Sequence, residues 1–460
     1  MLELGCGDGA SVITFAYALP GSRFVGVDLA ARPIEIGQER IKALGLTNCN
    51  LRQGNVMDLD DDALGEFDYI FAHGLISWVP DAVRDRILNL CRACLAPNGV
   101  AYLSYNAYPG GYQREMLREM LQRHTAPIAD PREKVRASHA LFDFIAEAPF
   151  PKPFHAFVEQ QRNQRRFASL LYDELGDENH QYFVTDFAAL AQRHGLGFAG
   201  PVQAEASLAA MPAALRRQLQ TYGGDDPVAR EQYLDYLTGA SFRQDLFCRA
   251  ETPVDFTRRW QPVTEFYFSG LLSEVPRRET DPPHVRRFQC QGGPSMPVPL
   301  PGMARAFEYL GATFPRLVPF AELAAQTNGE AEDQLALSLL QCAEAGAVEI
   351  QAHPHRHAAV VGERPRASAL ARLQTLEGFQ SNLLCSAVQI DRRIARLLFP
   401  LTDGTRTVEQ LAGELTRTLA QREAPDEDTA QSWQNAQADP HGVVSKQLQA
   451  WCRLFLLENE

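Results

Sequence analysis

The chain opens with Leu2-Glu3-Leu4-Gly5-Cys6-Gly7-Asp8-Gly9, a short strand-like segment followed by a turn with three glycines. Glycines let the backbone reverse sharply and bring its N–H groups against a ligand, because no Cβ is in the way. The residues after the turn have a helical pattern. This order of strand, glycine turn and helix predicts a nucleotide-type binding site at the start of the chain.

A second predicted strand, Phe24-Val25-Gly26-Val27, ends in Asp28. This carboxylate follows the glycine turn by about nineteen residues, near the spacing of an acid that binds the hydroxyls of a ribose. Two nucleotide-binding folds compete for this layout. A dinucleotide fold requires Gly-x-Gly-x-x-Gly, but the third glycine here, Gly9, comes one residue early, and Glu3 interrupts the apolar run of the first strand.

An acidic residue followed by Gly-x-Gly-x-Gly resembles motif I of the class I S-adenosylmethionine-dependent methyltransferases. Residues 50–58 are similar to the third strand of that family and to the turn that contacts the adenine. The family usually has Asp at the position of Asn55, whose amide can accept from the adenine amino group but carries no charge. The resemblance implies S-adenosylmethionine as the cofactor and a pocket formed by Glu3, Gly5, Cys6, Gly7, Gly9, Asp28, Leu29, Asn55, Val56 and His73.

Short strands and helical segments continue to alternate beyond these motifs. The fourth and fifth predicted strands are residues 67–72 and 99–105. Such alternation predicts a parallel sheet with helices on both faces. Ligands bind beyond the carboxyl ends of the strands in these sheets, which is where all the motifs fall.

Two further motifs follow the fourth and fifth strands: HGLISWVP at residues 73–80 and SYNAYPGG at residues 104–111. Together they resemble bacterial methyltransferases that carry a methyltransferase regulatory domain, a group that includes the rickettsial protein lysine methyltransferases. A third match begins with LYDEL at residues 171–175, where the family usually has His in place of Asp173. The resemblance is good up to about residue 250 and loose beyond it.

These two motifs place five candidate residues around the point at which a methyl group would leave sulfur. Aromatic faces hold a cationic side chain while excluding water, and an in-line transfer depends on positioning. Tyr105 is predicted to orient the acceptor amine through its hydroxyl group. The alternative is that the aromatic rings only pack the top of the sheet. The five candidates are His73, Trp78, Tyr105, Asn106 and Tyr108.

The predicted fold is α/β: a Rossmann-like class I methyltransferase sheet with a helical insertion, followed by a C-terminal α+β winged-helix-like region. The predicted catalytic domain comprises residues 1–111 and 182–207, and the insertion, whose apolar residues recur at helical spacing, comprises residues 112–181. A middle helical region and linker occupy residues 208–300. Helices, a turn and a short strand predict the winged-helix-like domain in residues 301–460.

Two expectations concern smaller parts of this map. The similar lysine methyltransferases use an element like the insertion to form dimers, which implies a homodimer. Residues 276–301 hold several prolines, glycines and charges and are predicted to be irregular chain or linker. Residues 423–442 are polar and acidic and are predicted to form a loop.

The composition is acidic, with 44 Lys and Arg against 57 Asp and Glu, a formal net charge of −13. This balance argues against a nucleic-acid partner, which requires a basic face. Nine cysteines without a disulfide framework predict a reducing compartment. Because no apolar run approaches the length of a membrane span and no signal peptide is evident, the sequence predicts a cytoplasmic protein without a membrane partner.

No metal site is predicted. Cys91 and Cys94 have the spacing of a ligand pair, but no second pair is nearby, so a structural role in a helix is expected. His353, His355 and His357 flank Pro354 without an acidic or cysteine partner and are predicted to lie in a solvated turn.

The predicted function is an S-adenosylmethionine-dependent N-methyltransferase that acts by direct in-line transfer, with a protein lysine as the acceptor implied by the resemblance. Two alternatives are a small-molecule methyltransferase and a degenerate, non-catalytic interaction protein. Met1 lies inside the first predicted strand, so the helix that precedes motif I in the resembled family is expected to be missing and cofactor binding to be weakened.

Overall fold

A computed structural model gives the architecture of the chain. It describes residues 1–147, 153–164, 170–202, 211–257, 259–290, 293, 295–329, 332–376, 380–422 and 426–459.

A mixed sheet forms the centre of the N-terminal half. Its strands are β1 (Leu2–Leu4), β2 (Phe24–Asp28), β3 (Cys49–Gln53), β4 (Phe67–Ala72), β5 (Leu95–Ala107), β6 (Gln181–Tyr182), β7 (Leu196–Pro201) and β8 (Phe242–Arg249). They lie in the order β3-β2-β1-β4-β5-β8-β7, and β6 pairs with the end of β5. Strands β1 to β5 are parallel, whereas β8 runs antiparallel to both β5 and β7. The predicted Rossmann-like α/β fold is confirmed.

Helices cover both faces of this sheet. They are α1 (Ala10–Ala18), α2 (Ala31–Leu44), α3 (Asp61–Leu64), α4 (Asp81–Cys94) and α8 (Val184–Arg193). Side chains of a strand alternate between faces, so each strand contributes to two cores. In β2, for example, Phe24 packs with Val12 and Ile13 of α1, whereas Val27 packs on the opposite face in the core that contains Leu88 of α4.

Strand β8 was not predicted. It lies within residues 208–300, which the sequence analysis assigned to a middle helical region and linker, but it occupies an interior position in the sheet. Its pattern is atypical of a buried strand because Arg243 and Asp245 are both nine-tenths or more buried. Charged residues at these positions made a buried strand difficult to predict from the sequence. In the fold, the two side chains form an ion pair at 2.9 Å.

Three helices follow β5 within the predicted insertion: α5 (Gly111–Thr125), α6 (Pro131–Ala146) and α7 (Pro153–Gln164). A five-residue π-helical turn, Leu170–Glu174, comes after them. Leu117 and Leu121 of α5 pack with Val135 and Phe142 of α6 in a small separate core. The insertion therefore buries its own apolar face.

The segment 276–301 is not irregular linker throughout. A three-stranded antiparallel sheet consists of β10 (Leu272–Val275), β11 (Arg286–Cys290) and β12 (Ser295–Val298). Phe288 of β11 is buried and packs edge-on against Phe307 at 5.7 Å. The prolines and charges that suggested a linker lie around these short strands and in the exposed turn between β10 and β11.

Helices and a small second sheet complete this middle region. They are α9 (Ala213–Gly223), α10 (Pro227–Thr238), β9 (Tyr267–Ser269), α11 (Pro301–Thr313), β13 (Val318–Pro319), α12 (Phe320–Ala325), α13 (Glu332–Glu344) and β14 (Glu349–Gln351). Strands β13 and β14 both pair with β9. Helices and a short strand, which were predicted within residues 301–460, are present here as α12, α13 and β14.

The last part of the chain is mainly helical. Its elements are β15 (Arg366–Ala367), α14 (Ala369–Leu373), β16 (Gln380–Ser381), β17 (Ala387–Val388), α15 (Arg392–Leu398), α16 (Val408–Gln421), α17 (Glu427–Ala438), α18 (Pro440–Arg453) and β18 (Leu457–Glu458). Trp451 of α18 is fully buried and stacks on Phe399 at 3.9 Å, which places the core between these helices.

Two expectations about this region are wrong. The described part of residues 423–442 is helix rather than loop, because Asp426 caps α17 by accepting from the Thr429 N–H at 2.7 Å and Trp433 is buried against α15.

His357 does not lie in a solvated turn. It is buried, and its Nε2 donates to the Pro315 carbonyl at 2.9 Å.

Two helical glycines differ in the space around them and give a paired test of the fold. A Cβ on Gly37 in α2 would lie 2.4 Å from Leu51 Cδ1 and 2.5 Å from the Asp8 carbonyl oxygen, whereas a Cβ on Gly413 in α16 meets nothing within 4 Å. We expect Gly37→Ala to lower the free energy of unfolding by about 1 to 3 kcal/mol through overpacking. We expect Gly413→Ala to raise it by roughly 0.5 to 1 kcal/mol. Urea denaturation of the full chain measures both, and equal stabilities would contradict the close packing of α2 on the turn.

Candidate active site

The glycine turn after β1 depends on a left-handed backbone. Gly5, Gly7 and Gly9 have φ values of 72°, 56° and 73°, a region that residues with a Cβ adopt only with strain. The Gly5 and Cys6 N–H groups both donate to the Val27 carbonyl, at 2.8 and 3.1 Å. The turn is therefore fixed against the end of β2 and leads directly into α1.

Asp28 is part of the same unit. Its Oδ2 accepts from the Gly7 N–H at 2.8 Å, and its Oδ1 accepts from the Ala30 N–H at 2.8 Å. Each carboxylate oxygen keeps a further lone pair for a ligand hydroxyl. The neighbouring Leu29 is 68% exposed and adds an apolar side chain at the rim. The geometry thus presents an oriented carboxylate beside the turn, as a ribose requires.

Glu3 is a buried carboxyl group beneath the turn. It accepts from the Val12 N–H in the first turn of α1, and its Oε2 has no partner within the described residues. Burial, together with the nearby charges of Asp28 and Asp8, raises its pKa to about 8. An unpaired buried carboxyl oxygen at this position suits a ligand that carries positive charge.

Cys6 was predicted to contact the cofactor. Its side chain is buried in the core between the sheet and α1, and burial raises the pKa of the thiol to about 12. The thiol is therefore a packing group, and its side chain is not available for the predicted cofactor contact.

Asn55 and Val56 lie at the end of β3. The Asn55 side chain accepts from the Met57 N–H at 3.0 Å and caps the short 3-10 helix Val56–Asp58. One lone pair of its oxygen is thereby used, and the exposed amide still offers a donor and a second acceptor site. Both residues stay candidates for the adenine contact.

His73 follows β4 and is held by two hydroxyl groups. Its Nδ1 lies 2.8 Å from the Tyr102 hydroxyl and 3.1 Å from Ser104 Oγ, which itself accepts from the Gly74 N–H. Burial lowers the pKa of His73 and favours the neutral ring. In the tautomer in which Nδ1 accepts from one of these hydroxyl groups, the ring proton is on Nε2, which can donate to a ligand.

The predicted role of Tyr105 is contradicted by the structure. The side chain is 1% exposed, its hydroxyl donates to Asp245 Oδ2 at 2.5 Å, and its ring packs 4.0 Å from that of Phe187. Tyr105 shares a strand face with Leu103, in the core against α4 and α8. It therefore cannot orient an acceptor amine at the edge of the sheet.

The side chains of two other candidates contact other residues of the chain. The Asn106 side chain is buried and donates to Asn179 Oδ1 at 2.8 Å. The guanidinium groups of Arg114 and Arg118 lie over the ring of Trp78, at 5.1 and 5.9 Å from its centre. For these residues the packing alternative describes the structure better than an open acceptor channel.

Tyr108 is the aromatic candidate that lies at the surface. It is half-buried, stacks on Tyr112 at 4.1 Å, contacts the ring of Phe183 at 5.3 Å, and donates from its hydroxyl to Glu115 Oε2 at 2.9 Å. Tyr112 and Glu115 were not predicted. Their position in the first turns of α5, directly after the SYNAYPGG motif, was the available signal.

A buried charge cluster stabilises the strand beside this edge. Arg243 of β8 pairs with Asp245, with Asp235 of α10 at 2.5 Å and with Glu231 at 2.9 Å. Burial raises the pKa of Asp235 to about 7 even beside Arg243, because one guanidinium serves three carboxylates. The cluster holds α10 to the sheet next to Tyr105.

No group of three or more His, Cys, Asp or Glu side chains in the described ranges could hold a metal ion. Cys91 and Cys94 are buried on α4. None of the described helices combines the length and the apolar character that crossing a bilayer requires.

Three family models match the chain. A methyltransferase domain matches residues 2–101, a predicted methyltransferase regulatory domain matches residues 166–249, and the C-terminal winged helix domain of PKMT matches residues 363–455. The first match contains the glycine turn, Asp28 and Asn55, and the last contains α14 to α18.

Two curated relatives are uncharacterized proteins of Rickettsia prowazekii. RP789 is 31% identical over 288 residues, which cover 61% of this chain and 52% of RP789. RP028 is 34% identical over 198 residues, which cover 42% of this chain and 79% of RP028. The chain thus spans about half the length of RP789 and most of RP028.

A solved structure, PKMT2 from Rickettsia typhi in complex with AdoHcy, has a similar fold. The TM-score is 0.82 at 22% identity, and the match covers 99% of this chain and 93% of PKMT2. At this identity the similarity supports the fold, including the arrangement of the middle and C-terminal regions.

The ribose contact can be tested by calorimetry with S-adenosylmethionine. We expect Asp28→Ala to weaken binding at least about 100-fold, because two hydrogen bonds to a charged acceptor, each contributing about 1.5 to 3 kcal/mol, are lost. Asp8→Ala is the matched control on the same turn. Asp8 pairs with Arg40 near the surface, so its loss should change affinity less than about 5-fold. Full affinity in Asp28→Ala would place the cofactor elsewhere.

The raised pKa of Glu3 predicts that cofactor binding depends on pH. With a pKa of about 8 in the ligand-free turn, Glu3 is mostly neutral at pH 6.5 and mostly charged above pH 8. Affinity for the positively charged S-adenosylmethionine should therefore rise over this range by more than affinity for S-adenosylhomocysteine, which lacks the sulfonium charge. Titrations of both ligands at pH 6.5 and 8.5 measure the difference. Glu3→Gln should abolish it, and the same pH response for both ligands would contradict this role.

Proposed function

The chain belongs to the family of methyltransferases that carry a methyltransferase regulatory domain and a PKMT C-terminal winged helix domain, and from this we propose that it is an S-adenosylmethionine-dependent N-methyltransferase acting on protein lysine side chains. The observation that carries the proposal is the glycine turn clamped to Asp28, at the edge of the sheet where β4 and β5 also end. The cofactor and the acceptor can meet at this edge.

The residues of the turn fit S-adenosylmethionine. The left-handed glycines fix the turn against the end of β2, and Asp28 offers acceptors to a ribose. The Oε2 of Glu3, which has no partner among the described residues, suits a cationic ligand. When bound, the cofactor supplies a methyl group on a positively charged sulfur. Asn55 and Val56 would hold the adenine, and Leu29 would add an apolar contact.

The acceptor must reach this edge as a neutral amine. Holding a lysine deprotonated at pH 7 costs about 4 to 5 kcal/mol from a reference pKa of about 10.4. A positively charged neighbour and an apolar wall both lower the pKa of an amine. The rings of Tyr108, Tyr112 and Phe183 supply such a wall, so the proposed reaction requires no dedicated base.

His73 and Tyr108 are the chain's own groups for orienting the acceptor. His73 can donate through Nε2 in the tautomer in which its Nδ1 accepts from a hydroxyl group. The Tyr108 hydroxyl is held by Glu115, which fixes the ring at the mouth of the site. Positioning of this kind is what an in-line displacement needs from the protein.

The homodimer implied by the resemblance stays a proposal. The insertion offers exposed apolar side chains for it, since Phe144 of α6 is 74% exposed and Met116 of α5 is 45% exposed. Light scattering on the full chain and on Phe144→Glu tests this surface. A monomer in the unmodified chain would remove the proposal.

Transfer to lysine is tested with radiolabelled S-adenosylmethionine and a bacterial extract. We expect label in protein, recovered as methyl-lysine after acid hydrolysis, and no label when Asp28→Ala replaces the unmodified chain. Dialysing the extract separates the acceptor classes. Label that disappears on dialysis would support a small-molecule methyltransferase. A chain that binds no cofactor would support the non-catalytic interaction protein.

Tyr108 is tested by its kinetics. We expect Tyr108→Ala to lower label transfer about 10- to 100-fold while leaving the cofactor Kd unchanged, because the acceptor loses positioning. Tyr222→Ala, which removes a 64% exposed ring from α9, is the matched control. Turnover in Tyr108→Ala equal to that of the control would remove Tyr108 from the acceptor site.

A further inference from the structure

Helix α1 has contacts at both ends that belong to different parts of the protein. Its N-terminus begins at Gly9, the last residue of the glycine turn (residues 5–9), which is called the cofactor turn below. The Val12 N–H of the helix donates to Glu3. Its outer face touches residues more than 350 positions later in the chain, in the region that matches the PKMT winged helix domain. One short helix thus connects the proposed cofactor site to the C-terminal domain.

Tyr17 is the first of these contacts. Its hydroxyl donates to Glu458 Oε1 of β18 at 2.5 Å and accepts from the Ala369 N–H, the first residue of α14, at 3.0 Å. The Tyr17 side chain therefore joins α1 to two parts of the C-terminal region, strand β18 and the start of α14. Since α14 is a short helix capped by Ser368, Tyr17 also provides one of the acceptors for its N-terminal N–H groups.

Thr14 is the second contact and is fully enclosed. Its hydroxyl donates to the Ala10 carbonyl at 2.8 Å, and Ser381 Oγ of β16 lies 3.0 Å from Thr14 Oγ1. A hydroxyl group has one proton, so Ser381 donates to Thr14. Thr14 and Ser381 are 5% and 6% exposed. The hydrogen bonds thus run from the C-terminal domain to Ala10, one residue after the turn.

An apolar contact completes the interface. Leu370 of α14 is 3% exposed and belongs to the core cluster that contains Val12, Ile13 and Ala16 of α1. The same cluster contains Cys6 from the cofactor turn. The C-terminal domain therefore supplies a side chain to the core on which the turn rests.

We propose that the C-terminal domain positions the cofactor turn through α1, with Thr14 and Tyr17 as the positioning residues. Tyr17 lies eight positions after Gly9, about 12 Å along a helix, and a packed helix of this length moves as a rigid unit. A shift of the domain on α1 would move the N-terminus of the helix and the turn with it. By linkage, cofactor binding then stabilises the interface as much as the interface favours cofactor binding.

This inference rests on the proposed function only for cofactor binding and is tested with the full chain. We expect Tyr17→Phe and Leu370→Ala each to weaken S-adenosylmethionine binding about 5- to 10-fold by calorimetry, although neither residue lies in the turn. Glu458→Gln keeps an acceptor for Tyr17 and should retain affinity within 2-fold. Tyr309→Phe is the matched control, since Tyr309 also donates to a glutamate, Glu322, but makes that contact away from α1.

A readout beyond affinity separates positioning from simple loss of stability. In the unmodified chain, S-adenosylhomocysteine should slow hydrogen exchange of the amides in α14, and in Tyr17→Phe this ligand-dependent protection should disappear. An unmodified chain that binds neither cofactor form would overturn the proposed function and this inference together. Normal binding by the unmodified chain with unchanged affinity in both Tyr17→Phe and Leu370→Ala would overturn this inference alone.

Discussion

The reversal of the chain at the end of β1 is the constraint on which the proposed site depends. Gly5 and Cys6 both donate to the Val27 carbonyl, and Gly7 donates to Asp28, so the turn and the tip of β2 form one hydrogen-bonded unit. This unit sets where α1 begins and how its axis leaves the sheet. The cofactor pocket, the packing of α2 and the contact with the C-terminal domain all follow from that direction.

Features carried by neighbouring residues were predictable from the sequence. The glycine turn, Asp28 and the parallel strands depend on local patterns, and all lie at the expected edge of the sheet. Tyr105 could not be placed correctly because strand alternation and its partner decide its direction. That partner, Asp245, is 140 residues away in β8. Strand β8 was not predicted because the charged residues Arg243 and Asp245 are atypical of a buried strand.

The C-terminal half shows the same division. Helices were predicted within residues 301–460, and the structure has one over Val408–Gln421, whose buried residues Leu411, Leu415 and Leu419 recur at helical spacing. Helix α17 was not predicted because its sequence is polar and acidic. The cap at Asp426 and the burial of Trp433 and Ala436 stabilise it. Burial of Trp433 requires α15 from an earlier part of the chain, so composition alone suggested a loop. Tertiary contacts decide both cases.

The cluster around Arg243 has a consequence for the solvent. Asp235 has a pKa of about 7 in the folded chain but an ordinary value near 3.9 when unfolded, so the folded form keeps a proton that the unfolded form has released. The stability linked to this group is full below about pH 4 and is lost as the pH rises through about 7. Refolding near pH 6 should thus draw close to one proton from the medium at Asp235.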